Sequence, residues 1–193
     1  MLFRSVQLES ELHAGDAAVM GDPTQIHRVV MNLCTNAKQA MKSDGTLIVS
    51  LDLHTLRESR TFATATLSPG EYMRLRVRDT GIGIEPEVLE RIFEPFFTTK
   101  EVGAGTGLGL SLVHSVVSDL GGAVDVQSEP SRGSAFTVFL PRHGRASQTS
   151  PAVEELPRGA GQTILFKTSV GAIRPWVRIP SVVEGKESNE CTA

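Results

Sequence analysis

Apolar residues recur at helical spacing from Pro23 to Lys42, where Ile26, Val29, Val30, Leu33, Ala37, Ala40 and Met41 form one stripe. Gly21-Asp22-Pro23 opens this segment, with Asp22 suited to cap it, Pro23 to its first turn and Gln25 to a capping-box position. The flanking face carries Arg28, Asn32, Asn36 and Gln39. After the turn Ser43-Asp44-Gly45 the period changes to two. Leu47, Val49, Leu51 and Leu53 alternate with polar positions and predict a half-buried strand. Arg57–Gly70 is a polar connection ending in Ser68-Pro69-Gly70, so a hairpin returns into a strand over Glu71–Arg78, where Leu75 and Val77 alternate with Arg76 and Arg78. Pro86–Ile92 reads as a short helix. Leu108, Leu110, Leu112, Val113, Val116, Val117 and Leu120 mark a second long helix, stopped by Gly121-Gly122. Ala123–Gln127 and Ala135–Leu140 read as two more strands joined by the turn Glu129–Gly133, while Val6 and Leu8 suggest an edge strand and Ala17–Met20 a brief apolar run. The expected fold is α+β, with helices layered on one face of a mixed or antiparallel sheet.

A chain of 193 residues can bury one proper core and is not obviously two domains. A formal charge of -3 gives no electrostatic case for nucleic acid. Cys34 and Cys191 match no metal or disulfide spacing and fit a reducing cytosol. No signal peptide is recognisable and no apolar run is long enough to span a bilayer, so a cytoplasmic chain without membrane contact is expected. Aromatics are only 5% of the residues, yet Phe93, Phe96 and Phe97 cluster in one stretch, which singles it out.

The chemistry concentrates in Val77–Lys100 and Gly105–Ser111. Asp79 ends a strand and meets Gly81 and Gly83. A carboxylate there can accept a hydrogen bond from an exocyclic amine such as that of adenine, and the glycines let backbone approach a flat ring. Gly105, Gly107 and Gly109 feed a helix N-terminus, where free N–H groups and the dipole favour phosphate. Asn32 and Asn36 lie one turn apart and project together. Asparagine is a mediocre helix former, and an amide oxygen is a hard ligand suited to Mg²⁺ shared with substrate phosphates, which favours that role for Asn36.

Taken with their order, these segments resemble the boxes of sensor histidine kinases. Asn32-Leu-Cys-Thr-Asn36-Ala-Lys-Gln-Ala resembles the N box, Asp79-Thr-Gly-Ile-Gly83 the G1 box, Phe93-Glu-Pro-Phe-Phe-Thr-Thr-Lys100 the F box and Gly105-Thr-Gly-Leu-Gly-Leu-Ser111 the G2 box. Together they cover about Met20 to Leu140. The resemblance implies the Bergerat two-layer α/β sandwich, shared with gyrase, Hsp90 and MutL, and a site for ATP and Mg²⁺. Asp79 would bind the adenine amine, Gly81 and Gly83 would pass close to the base, and Asn36 would coordinate the metal. Phe93–Thr106 would form a mobile lid from which Lys100 reaches a phosphate. Gly107, Leu108, Gly109 and Leu110 would give backbone N–H groups to the phosphates. Ile84, Phe97 and Thr106 join the implied nucleotide-binding set, as does Gln39, which stands where some members carry a basic residue. Thr137 is carried over into the water network around adenine. Asn32 occupies the position where gyrase and Hsp90 carry a water-activating glutamate, and an amide cannot serve as that base.

The implied activity is transfer of the ATP γ-phosphoryl group to a histidine. His13, His27, His54, His114 and His143 all lack the family's phosphoacceptor context, and no helical hairpin precedes Met20. The expected acceptor is therefore a hairpin domain on another chain or segment, and through it a response regulator. The alternatives are a non-catalytic ATP-binding or regulatory remnant and a gyrase- or Hsp90-like ATPase. Residues 1–141 are expected to form the catalytic domain, 142–161 a Pro/Gly/Ser/Glu-rich linker, and 162–193 an irregular tail. Within that tail, Gln162-Thr-Ile-Leu-Phe166 resembles the first strand of a receiver domain, but Lys167-Thr168 replaces the acidic pair expected next.

Overall fold

The computed structural model describes residues 6–41, 44–100, 105–145, 165–169 and 172–176. Along the chain run β1 (Val6–Leu12), β2 (Ala17–Val19), α1 (Pro23–Met41), β3 (Gly45–Leu56), β4 (Arg60–Thr61), β5 (Thr66–Leu67), β6 (Gly70–Asp79), α2 (Pro86–Leu89), α3 (Gly109–Asp119), β7 (Ala123–Glu129), β8 (Gly133–Arg145), β9 (Leu165–Ser169) and β10 (Ala172–Trp176).

The main sheet has six strands in the order β1-β3-β6-β8-β2, and β7 pairs with β8 as well. β1 runs parallel to β3, and all other pairings are antiparallel. This is the mixed, mostly antiparallel sheet that the alternating segments predict. The period of two sorts its side chains onto two faces. Val49, Val77 and Phe136 lie in register on one face, with Leu47 opposite Asp79. α1 and α3 cover that face through Val29, Leu33, Val113 and Val117. Val113, Val124 and Val138 are fully excluded from solvent, and each such side chain contributes roughly 1.5–3 kcal/mol by leaving water. The other face carries Arg74 and Arg76, with Arg74 bidentate to Asp52 at 2.8 and 2.6 Å.

Three local readings change. The connection Arg57–Gly70 contains the small ladder of β4 and β5, and its Phe62 and Leu67 are buried in a second cluster with Leu56, Tyr72, Ala123 and Phe139. Two isolated apolar residues in a polar stretch carry no period, so only tertiary packing reveals them. α2 ends at Leu89 rather than Ile92, and turns continue into Phe93. Pro95 disfavours helical backbone at Glu94, so the segment has little room to extend. β8 runs to Arg145, past the expected boundary at 141, because β2 pairs with its far end at Ala17↔Arg145 and Val19↔Arg142.

β9 and β10 form a separate antiparallel ladder within the stretch expected to be irregular, and β9 overlaps the strand expected at Gln162–Phe166. The rest of the expected linker and tail lies outside the described residues.

Candidate functional site

α1 begins as its capping signal requires: Asp22 Oδ1 accepts the Thr24 N–H at 2.8 Å. Its apolar stripe docks on the sheet and turns Asn32 and Asn36 toward the start of α3. Asn32 Nδ2 donates to the Arg28 carbonyl at 2.9 Å. Asn36 Oδ1 accepts from Lys100 Nζ at 3.2 Å, across 64 residues of sequence, and the same ammonium donates to Gln39 Oε1. Partial burial lowers the Lys100 pKa from its ordinary value.

Asp79 ends β6 and is only 3% exposed. Its Oδ1 accepts the Gly81 N–H at 2.8 Å, and the Ser134 backbone N–H also favours the charged carboxylate. Burial raises its pKa, and these two amides oppose the rise. A buried carboxylate at a strand end, held by two amides, is an acceptor in a fixed place. The following loop packs against α1: a Cβ on Gly81 would lie 2.7 Å from the Ala40 carbonyl carbon, and Ile82 N–H donates to Ala40 O at 3.2 Å. Gly83 has φ +71, and a Cβ there would lie 2.1 Å from Glu129 O, so only glycine fits. Ile84, half-buried beside the core, follows directly.

α3 starts at Gly109 with no side chain capping its N-terminus, which leaves N–H groups available to an anion. A Cβ on Gly109 would lie 3.1 Å from Asn32 Oδ1 and 3.8 Å from Asn36 Nδ2, so this glycine lets α3 meet the two asparagines. Gly107 has φ +67 and lies against the Phe96 backbone, whose N–H donates to Gly107 O at 3.0 Å. Thr106 Oγ1 faces the Leu108 N–H at 3.4 Å, Leu108 is exposed, and Leu110 packs beside the core. Phe97 is half-buried with the Arg91 guanidinium 4.5 Å above its ring. Residues 101–104 of the expected lid lie outside the described residues.

The structure thus brings Asn32, Asn36, Gln39, Lys100 and the start of α3 together, with Asp79 and its glycine loop packed against the end of α1. Thr137 does not join them. It lies opposite Arg76 on the other face of the sheet, while Asp79 shares a face with Val77 and Phe136. The period of two puts Ser134, and not Thr137, on the Asp79 face. Ser134 and its cross-strand partner Ser128, which none of the four boxes includes, stand beside the Asp79 loop. The parity of Ser134 with Phe136 along β8, and of Ser128 with Val126 along β7, was the available signal. A separate cavity between sheet and helices, near Val29, Met73, Val117 and Leu140, is apolar apart from Ser10 and has nothing to orient a nucleotide.

The family model described as histidine kinase-, DNA gyrase B-, and HSP90-like ATPase matches residues 21–144. The chain belongs to this ATPase family. It is 42% identical to the sensor kinase CckA of Brucella abortus (strain 2308) over 124 residues, which are 64% of this chain and 13% of that protein. It is 36% identical to the sensor histidine kinase ZraS of Escherichia coli (strain K12) over 138 residues, 72% of this chain and 26% of that one. The chain therefore spans about a quarter or less of the length of these curated relatives. Among solved structures, the nucleotide-free catalytic domain of histidine kinase ThkA superposes with a TM-score of 0.56 at 29% identity, covering 71% of this chain and 80% of that one. Full-length ShkA in complex with AMPPNP superposes with a TM-score of 0.56 at 25% identity, covering 74% of this chain and 27% of that one.

The Bergerat sandwich implied by the four boxes is thus the fold observed, and this ATPase-family domain is homologous to the ATP-binding catalytic domains of two-component sensor kinases. No helix among the described residues is long and apolar enough to cross a membrane.

Proposed function

We propose that this domain binds ATP with Mg²⁺ and passes the γ-phosphoryl group to a histidine on a helical hairpin outside residues 21–144, from which a response regulator is phosphorylated. The observation that carries this reading is Asp79: a carboxylate 3% exposed, fixed by the Gly81 and Ser134 amides at the end of β6. An acceptor so placed suits the exocyclic amine of adenine. The ShkA relative, bound to an ATP analogue, adds support from outside this chain.

The residues fit a metal. Asn36 Oδ1 already faces a cation, the Lys100 ammonium, and an amide oxygen is a hard donor. Asn36 would hold Mg²⁺, which when bound neutralises phosphate charge. The chain's own groups do the rest. The uncapped first turn of α3, with Gly107 and Gly109 admitting close approach, receives phosphate oxygens through backbone N–H groups. Lys100, released from Asn36 and Gln39, is placed to neutralise charge on the transferred group. Ile84, Phe97 and Thr106 border the nucleotide, and Gln39 holds Lys100 beside Asn36 until nucleotide arrives. Little covalent work is asked of the protein, since phosphoryl transfer relies on positioning and charge stabilisation.

Asn32 supports transfer over hydrolysis. An amide has no basic lone pair to take a proton from water, and its Nδ2 is engaged with the Arg28 carbonyl. The test supplies γ-labelled ATP, Mg²⁺ and the phosphoacceptor hairpin of a relative in trans. Acid-labile, base-stable label on the hairpin is the expected result. Nucleotide binding without transfer would favour a regulatory ATP-binding module, and steady-state phosphate release without a hairpin would favour a hydrolase.

A further inference from the structure

The turn between β7 and β8, residues 129–133, is more than a connector. Ser128 and Ser134 face each other across the two strands, on the face that carries Asp79. The Ser128 hydroxyl accepts the Ile84 N–H at 2.8 Å, bonds the Gly133 carbonyl at 3.1 Å and meets Ser134 Oγ at 2.9 Å. One hydrogen and two lone pairs are thereby fully used: Ile84 and Ser134 donate, and Gly133 accepts. A second tie runs from Ser131 N–H to Ile82 O at 2.6 Å. The contacts are too close for any intervening atom. A Cβ on Gly133 would lie 2.0 Å from Asp79 O, and one on Gly83 2.1 Å from Glu129 O.

We propose that Ser128 is a positioning residue for base recognition: its hydroxyl clamps the Gly81–Ile84 loop to the β8 segment whose Ser134 amide holds Asp79, and so sets selectivity for adenine. This rests on the nucleotide reading given above. Adenine presents an amine where guanine presents a carbonyl. A fixed carboxylate rewards the first and repels the second, whereas a loosened one discriminates less.

The experiment titrates ADP and GDP with Mg²⁺ into the wild-type chain, Ser128→Ala and Ser128→Thr, and follows amide exchange at Ile84 and Ser134 without nucleotide. Losing this hub weakens ADP about tenfold in Ser128→Ala. GDP changes by less than about twofold, since it gains nothing from the fixed carboxylate. Ile84 and Ser134 exchange several-fold faster, and Ser128→Thr, which keeps the hydroxyl, restores both readouts. A merely structural role would weaken both nucleotides by one factor. That result, or unchanged exchange at Ile84 and Ser134, overturns the proposal. A wild-type chain that binds no ADP overturns the nucleotide reading instead, and the exchange data then decide the clamp alone.

Discussion

Replacing Asp79 by asparagine changes one oxygen into an NH₂ group at the buried end of β6. In the wild-type domain the carboxylate accepts from the Gly81 and Ser134 amides and, in the proposed complex, from the adenine amine. The amide side chain has a single oxygen, so at least one of these three donors faces another donor. A lost hydrogen bond to a charged group is worth about 1.5–3 kcal/mol. ADP affinity is therefore expected to fall by roughly ten- to a hundredfold. Stability responds differently, because two terms oppose. The variant weakens a backbone bond but no longer buries a charge, and the raised Asp79 pKa shows that burial outweighs the two amides. The net change is within about 1 kcal/mol, a melting shift of no more than ~5 °C for a domain of this size. Calorimetric titration with Mg–ADP, run beside thermal unfolding of both proteins, measures the two effects separately. Binding within twofold of wild type would refute the role of Asp79. Binding lost together with the cooperative transition would refute the claim that this carboxylate acts on the ligand rather than the fold.

Because the folded-state pKa of Asp79 is raised, the native state holds this proton more tightly than the unfolded chain. Its charge opposes folding above the raised value and is relieved as pH falls through it, toward the ordinary value of about 3.9. The stability difference between Asp79→Asn and wild type is thus expected to shift in favour of wild type on acidification, while wild-type ADP affinity falls; urea unfolding and titration across pH 4–7 check both. Gly83→Ala places a Cβ 2.1 Å from Glu129 O at φ +71, so a loss of at least ~2 kcal/mol is expected; an unchanged melting temperature would show that the turn does not press on the loop. Lys100→Met removes the ammonium that bridges Asn36 and Gln39. If it neutralises the transferred group, the transfer rate falls roughly ten- to a hundredfold, with ADP affinity changing less than about threefold because ADP lacks that group. Equal losses in both would place Lys100 in general nucleotide binding.

Local signals were enough for most of the chain. The stripe Ile26–Met41 marks α1 because one face must leave water. The alternations around Leu51 and Val77 mark β3 and β6, and three glycines before an apolar run mark the entry to α3. Asp79 and Asn36 were legible because their chemistry is unusual where they stand: an acid ending an apolar strand, and an amide in a helix. Other features depend on pairs of residues far apart in the chain, and no local period encodes them. Phe62 and Leu67 became core only because Tyr72 and Phe139 arrive from other strands to cover them. β8 reached Arg145 only because β2, more than a hundred residues earlier, supplied a partner for its backbone. Lys100 met Asn36 through the folding of the aromatic loop onto α1. The sequence by itself determined which side chains could recognise a nucleotide and the order in which they occur. Tertiary structure decided which hydroxyl stands beside Asp79, since strand register assigns Ser134 to its face and Thr137 to the other, and a shift of one residue would have exchanged them.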